Sequence, residues 1–159
     1  MAPRASQYER TPLFLVAEKG DVDMAKALLA AGAAVDAPRD NGQTPLHAAA
    51  YSNDAAMANA LLDAGANVNF VATNGQMALH YAAYMNFGDM TALLLKRGSK
   101  KDVADSGPGN TPLHMAAIGN AALAAKALVA GGANRKAKNA AGQTPLDVAF
   151  GDEVKAVLK

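Results

Sequence analysis

Three histidines, His47, His80 and His114, have the widest chemical reach in this 159-residue chain. An imidazole can hold a metal, move a proton or activate a nucleophile. Each directly follows a Thr-Pro-Leu or the related Met-Ala-Leu, so the three occupy one position in successive copies of a segment. Stacked helices sit about 8–10 Å apart, whereas nitrogens on one zinc lie about 2.0–2.1 Å from it. Equivalent positions in different copies therefore cannot share an ion. His80 with Tyr84 and Asp89 could be drawn as an acid–base set, but Asp89 falls where a second helix begins. Ser52 lies five residues from His47 with no acidic partner evident, and none of Ser6, Ser52, Ser99 or Ser106 stands in a nucleophile elbow. Neither a catalytic residue nor a cofactor or metal site is expected.

Two further stretches invite a ligand. "DSGPGNT", 105–111, is a glycine-containing loop feeding a helix start, a form that can receive an anion. It lacks the lysine and the preceding strand of a phosphate-binding loop, and it carries an extra residue, so a lengthened turn is the better account. Lys96, Arg97, Lys100, Lys101, Arg135, Lys136 and Lys138 supply seven of the fifteen basic residues. They fall at the ends of second helices and just beyond, where cations suit the helix dipole. The alternative is a basic patch for an acidic or phosphate-bearing surface. No aromatic residue interleaves with them, which disfavours single-stranded nucleic acid.

Those residues must be held by something, and composition restricts what. The chain is 51% hydrophobic but only 5% aromatic, so its apolar mass is small side chains suited to close helix stacking. A formal charge of +1 gives no general case for nucleic acid or membrane binding. There is no cysteine, which removes disulfides and thiol chemistry and leaves the redox compartment open. No apolar run approaches the roughly 20 residues of a membrane span. "MAPRASQYERT" has no signal-peptide core; a cytoplasmic location is the default expectation, with the periplasm or secretion the alternative had a signal been removed.

The organisation is periodic. Thr11, Thr44, Met77, Thr111 and Thr144 begin successive copies at spacings of 33, 33, 34 and 33, and Gly32, Gly65, Gly98 and Gly132 each follow their start by 21 residues. Such a period predicts a stacked array in place of a single globular core. Threonine caps a helix, and proline fits its first turn. A short first helix, as in "LHAAAYS", breaks near Asn-Asp or Gly-Asp; a second carries paired leucines and stops at the glycine. "ANVNFVATNGQ" then offers an Asn-Gly turn. Alanines at 49–50, 82–83 and 116–117 let neighbouring copies approach. Met77-Ala78 replaces Thr-Pro, so the third copy lacks its cap; Tyr81 takes an aliphatic position and is expected in the core, with its hydroxyl needing an outlet.

"GQTPLHAAA…MANALLDAGANVN" (42–69) and "GNTPLHMAA…AAKALVAGGAN" (109–134) resemble the ankyrin repeat family, and the resemblance covers residues 10–159. It implies an all-α solenoid of L-shaped units, two antiparallel helices and a projecting finger each, with a concave face. The units would run 10–42, 43–75, 76–109, 110–142 and a shortened, charged 143–159, after an extension at 1–9, the whole forming one domain. In this family the repeat histidine typically bonds backbone near the helix start and the next finger. Residues at the end of the first helix face the concave surface and commonly contact partners: here Tyr51, Ser52, Tyr84, Met85 and Ile118. Finger residues Asp40, Asn41, Gln43, Thr73, Asn74, Gln76 and Asn110 would flank them, with Phe87 nearby. Tyrosine and methionine suit such anchors. The implied function is a non-catalytic module, monomeric in isolation, that binds a protein through its concave face. The alternatives are an engineered or selected binder, against which Met77-Ala78 and the 34-residue unit stand, a small-ligand protein or enzyme using the groove at His80, Tyr84 and Ser106, and a self-associating structural protein.

Overall fold

A computed structural model describes residues 10–159; the expected extension at 1–9 lies outside the described residues. The fold is an all-α solenoid, and the described residues contain no strand. Ten helices follow as five pairs: α1 (Pro12–Lys19) with α2 (Val22–Ala30), α3 (Pro45–Tyr51) with α4 (Ala55–Asp63), and α5 (Ala78–Tyr84) with α6 (Gly88–Lys96). Next come α7 (Pro112–Ile118) with α8 (Ala122–Ala130), and α9 (Pro145–Val148) with α10 (Asp152–Leu158). The first helices pack successively as an inner row, α1 on α3, α5, α7 and α9. In the outer row α2 packs on α4, α6 on α8 and α8 on α10, with fewer close backbone approaches at the seam between α4 and α6. Arg97, just past α6, bridges that seam with one guanidinium nitrogen 2.6 Å from the Asp63 carboxylate and another donating to Asn59.

Small residues make the inner row possible. Ala49, Ala50, Ala82, Ala83, Ala116 and Ala117 are fully buried, and the core is completed by Leu46, Leu61, Leu79, Leu94, Leu113 and Leu128. Between the helices of a pair the chain reverses through a left-handed residue, Gly20, Asn53, Asn86 or Asn120. Asp21 and Asp54 then cap α2 and α4 by accepting from the backbone of Met24 and Met57. Phe87 and Ala121 stand at the same place and cannot. For α8 the cap comes from next door: the Asn86 Oδ1 accepts from the N–H groups of Leu123 and Ala124. Phe87 is half-buried against the core in this turn, at the far end of α5 from the fingers.

The fingers are turns, and they are bonded to one another. Thr73 N–H donates to Asn41 O, Ser106 N–H to Asn74 O, and Ala140 N–H to Pro108 O. Gly75, at φ +80°, shows why glycine is required at a tip: a Cβ there would lie 2.2 Å from the Ser106 nitrogen. A second line of bonds runs along the loops after the outer helices. Asp36 accepts from Asn67 N–H, Asn69 from Lys100 N–H, and Asp102 from Asn134 N–H.

One residue breaks the pattern inside the core. Thr91 occupies the place held by Ala25, Ala58 and Ala125, is fully buried, and its hydroxyl has no partner among the described residues. Thr91→Val keeps the shape and removes the orphan hydroxyl, so urea unfolding should show a gain of about 1–2 kcal/mol. An unchanged or lower midpoint would mean that the hydroxyl is satisfied in solution.

Candidate partner-binding face

The histidines are struts. Nδ1 of His47, His80 and His114 accepts from the backbone N–H of Thr44, Met77 and Thr111, the residue just before its own helix. Nε2 lies 3.2, 3.0 and 2.9 Å from the carbonyls of Gln76, Val103 and Gln143 in the following finger. An N–H can only donate and a carbonyl can only accept, so each ring is neutral with its proton on Nε2. Met77 therefore loses a threonine hydroxyl but keeps the backbone half of its cap. In the last pair Asp147 does the local half of the task, accepting from both the N–H and the hydroxyl of Thr144. Those two bonds, the backbone one foremost, hold its carboxyl below the usual range. In the first pair Phe14 stands in the histidine position, fully buried, and the Arg39 guanidinium lies 5.1 Å from its ring centre.

The anion-loop alternative at 105–111 is filled from within. The Asp105 carboxylate accepts from Gly109 N–H and Asn110 N–H at 2.8 and 3.0 Å and from the Gln76 amide at 3.3 Å. The donors an external anion would need are thus spent on a buried side chain of the loop itself.

The ends of the inner helices present the expected residues. Tyr51, Tyr84 and Ile118 are 57%, 46% and 37% exposed on successive pairs. Ser52 is exposed beside Tyr51, and Met85 is half-buried at the end of α5. The flanking finger residues are placed differently from expectation. Asn110 is only 5% exposed, its backbone bonded to Asp105 and its side chain accepting from Asn139, so it is no rim group. The Asn41 oxygen accepts from Arg39 and from Gln43 N–H; the Thr73 hydroxyl donates to Asn41 O; Asn74 donates to Gln76. Asp40 is exposed and accepts from Asn41 N–H. Most of these side chains are engaged within their own finger or with the next one, which leaves fewer free groups for a partner.

A recess of about 380 Å³ lies one pair earlier than the His80–Tyr84 groove. Buried Phe14, His47 and Ala48 line it together with Tyr51, Ser52 and Tyr81. Tyr81 is not the core residue expected. It is half-buried, because its hydroxyl must reach polar groups and finds two: the amides of Gln43 and Asn74 donate to it at 2.9 and 3.1 Å. Its ring meets His47 and Tyr51 edge to face, with centres 5.9 and 6.4 Å away. Glu18, Arg39 and Gln43 complete the recess, Glu18 paired with Arg10 at 2.6 Å. Arg39 and Tyr81 were the residues to find. A lone arginine before an Asp-Asn-Gly turn has no periodic counterpart to flag it, whereas a tyrosine at an otherwise aliphatic position was a visible signal.

The basic residues divide. Arg97 is committed to Asp63, and Lys101 reaches toward Gly132 at the end of α8. Lys96, Lys100, Arg135, Lys136 and Lys138 are exposed.

A sequence model of ankyrin repeats, described as three copies, matches residues 3–72 and 79–158, and the chain belongs to the ankyrin repeat family. No curated protein matches it. Ankyrin repeats are generally protein–protein interaction modules and typically non-catalytic. No helix among the described residues is long and apolar enough to cross a membrane.

Burial makes His47 pH-sensitive. Its pKa is pushed from 6.5 down to about 4, chiefly by loss of solvent, against which the Gln76 carbonyl acts. His80 is lowered for the same reason, with the Val103 carbonyl opposing. Protonation thus favours the unfolded chain. The stabilisation is complete above pH 6.5 and is lost as pH falls toward 4. At about pH 5, His47 alone removes about 2 kcal/mol. Urea midpoints between about pH 7.5 and 5 should fall more steeply for the parent than for His47→Gln. Parallel slopes would show that the folded imidazole titrates normally.

Proposed function

We propose that this chain is a non-catalytic module that binds a protein partner across its concave inner-helix face. The observation that carries the reading is the register of Tyr51, Tyr84 and Ile118, exposed apolar side chains on three consecutive pairs beside an aromatic recess. Exposed apolar groups aligned on one face mark interaction surfaces more often than scattered ones do. Tyr51 and Tyr84 serve as anchors, Ile118 and half-buried Met85 extend the contact, and Ser52 borders the recess. A partner covering about 800 Å² per side needs three or four adjacent units. The units are those read from the period, 10–42 to 143–159 in a single domain, and the chain acts as a monomer without a cofactor.

The histidines support this reading against an enzyme. His80 is fully buried with both nitrogens committed to backbone, so it has no face toward the Tyr84 surface. The basic edge of Lys96, Lys100, Lys101, Arg135, Lys136 and Lys138 is a second reading, favoured by one observation: apart from Arg97, none of the cluster has an ion-pair partner among the described residues.

Affinity capture from lysate tests the first reading. The chain is compared with a Tyr51→Ala/Tyr84→Ala/Met85→Ala/Ile118→Ala variant whose circular dichroism matches the parent. A protein retained by the parent and lost by the variant is the expected result. Equal retention would remove the inner-helix face and leave the basic edge.

A further inference from the structure

The recess between the first three pairs is unevenly furnished with hydrogen-bonding groups. The Arg39 head group has two contacts: Nε donates to Asn41 at 2.9 Å, and the guanidinium carbon lies over the buried Phe14 ring, 5.1 Å from its centre. Neither of its outer nitrogens has a partner among the described residues, so a pre-set fork of donors is left in the recess. Tyr81 adds another. Its oxygen accepts from Gln43 and Asn74, so both lone pairs are used and the O–H proton has no acceptor among the described residues. The one carboxylate present, Glu18, is already paired with Arg10. The recess therefore offers rigid, unspent donors beside an aromatic lining, and its acidic group is neutralised.

We propose that this recess selects an acidic segment of the partner, seating a carboxylate on Arg39 and the Tyr81 hydroxyl with an adjoining apolar or aromatic side chain against Tyr51. The proposal rests on the partner-binding reading above and adds the chemistry of what is bound. An arginine fork matches a carboxylate through two parallel N–H bonds. Pre-organisation matters because little side-chain freedom is left to lose: Arg39 is held by Asn41 and Phe14, and Tyr81 by two amides. Charge complementarity is local, since residues 10–75 as a whole carry seven acidic against four basic side chains. A cationic partner would meet the general field favourably but Arg39 unfavourably, so the two possibilities give opposite results.

The test uses the intact chain and three labelled polymers at physiological salt: a random glutamate–tyrosine copolymer, a lysine–tyrosine copolymer and polyglutamate. Fluorescence anisotropy reads binding. The glutamate–tyrosine copolymer should bind at least about tenfold tighter than the other two, and Arg39→Gln should remove that advantage. Tyr81→Phe, which deletes one proton and keeps the ring, should weaken it by about three- to tenfold. Arg39→Lys keeps the charge without the fork and should fall between, and urea midpoints confirm that each variant is folded. Preference for the lysine copolymer, no binding of the glutamate–tyrosine copolymer, or indifference to Arg39→Gln overturns the proposal. So does polyglutamate binding as tightly and being lost in Lys96→Gln/Lys100→Gln/Lys101→Gln/Lys136→Gln, which places the anion site on the basic edge. Tyr51→Ala/Tyr84→Ala/Ile118→Ala separates the two levels. If it weakens copolymer binding while Arg39→Gln does not, the face is the binding site and only acidic selection fails. If it changes nothing, the face itself is wrong.

Discussion

Three of the four junctions in the array each depend on one imidazole. A helix of seven residues has little stability of its own, since nucleation is costly and only a few hydrogen bonds follow. In three of the inner helices a buried histidine ties the residue before the helix to the carbonyl of the next finger. Helix start and finger position are thereby set by the same ring. The neutral, Nε2-protonated tautomer is the only one that serves both bonds: burial disfavours the charged form, and the two partners fix which nitrogen carries the proton. Where there is no further finger, Asp147 performs only the local half of this task, and Phe14 substitutes an aromatic surface for a hydrogen bond.

That dependence explains what was readable from sequence. A strut must recur wherever the geometry recurs, so threonine, proline, histidine, alanine pairs and glycine return with the period, and the solenoid could be drawn from spacing alone. The helix starts at Pro12, Pro45, Pro112 and Pro145 follow from capping chemistry visible in four letters. The finger glycines were legible for a similar reason: a left-handed turn pressed against the next backbone tolerates little else.

The proposed contact face was legible only in part. Tyr51, Tyr84 and Ile118 could be aligned because they share a repeat position, and they are exposed together. Hydrogen-bond bookkeeping was not legible. Which amide satisfies which finger depends on contacts such as Asn139 to Asn110, 29 residues apart in the chain, so Asn110 looked like a rim group and is buried. Tyr81 looked like core and lines the recess, because a phenol cannot be buried without partners and those partners stand at the surface. Arg39 carries no periodic mark at all; its importance comes from lying over a residue that is itself the exception in its series.

The Arg97–Asp63 pair shows which part of a junction carries its load. On the inner side α3 and α5 pack directly. Farther out, α4 and α6 bury Met57, Leu61, Met90 and Leu94 in one continuous apolar cluster. The ion pair lies at the rim of that layer, with the Asp63 side chain 70% exposed. A solvated pair over a closed apolar layer adds little to the cohesion of the stack. Salt that screens it therefore leaves the apolar layer, and with it the spacing of Tyr51 and Tyr81, in place.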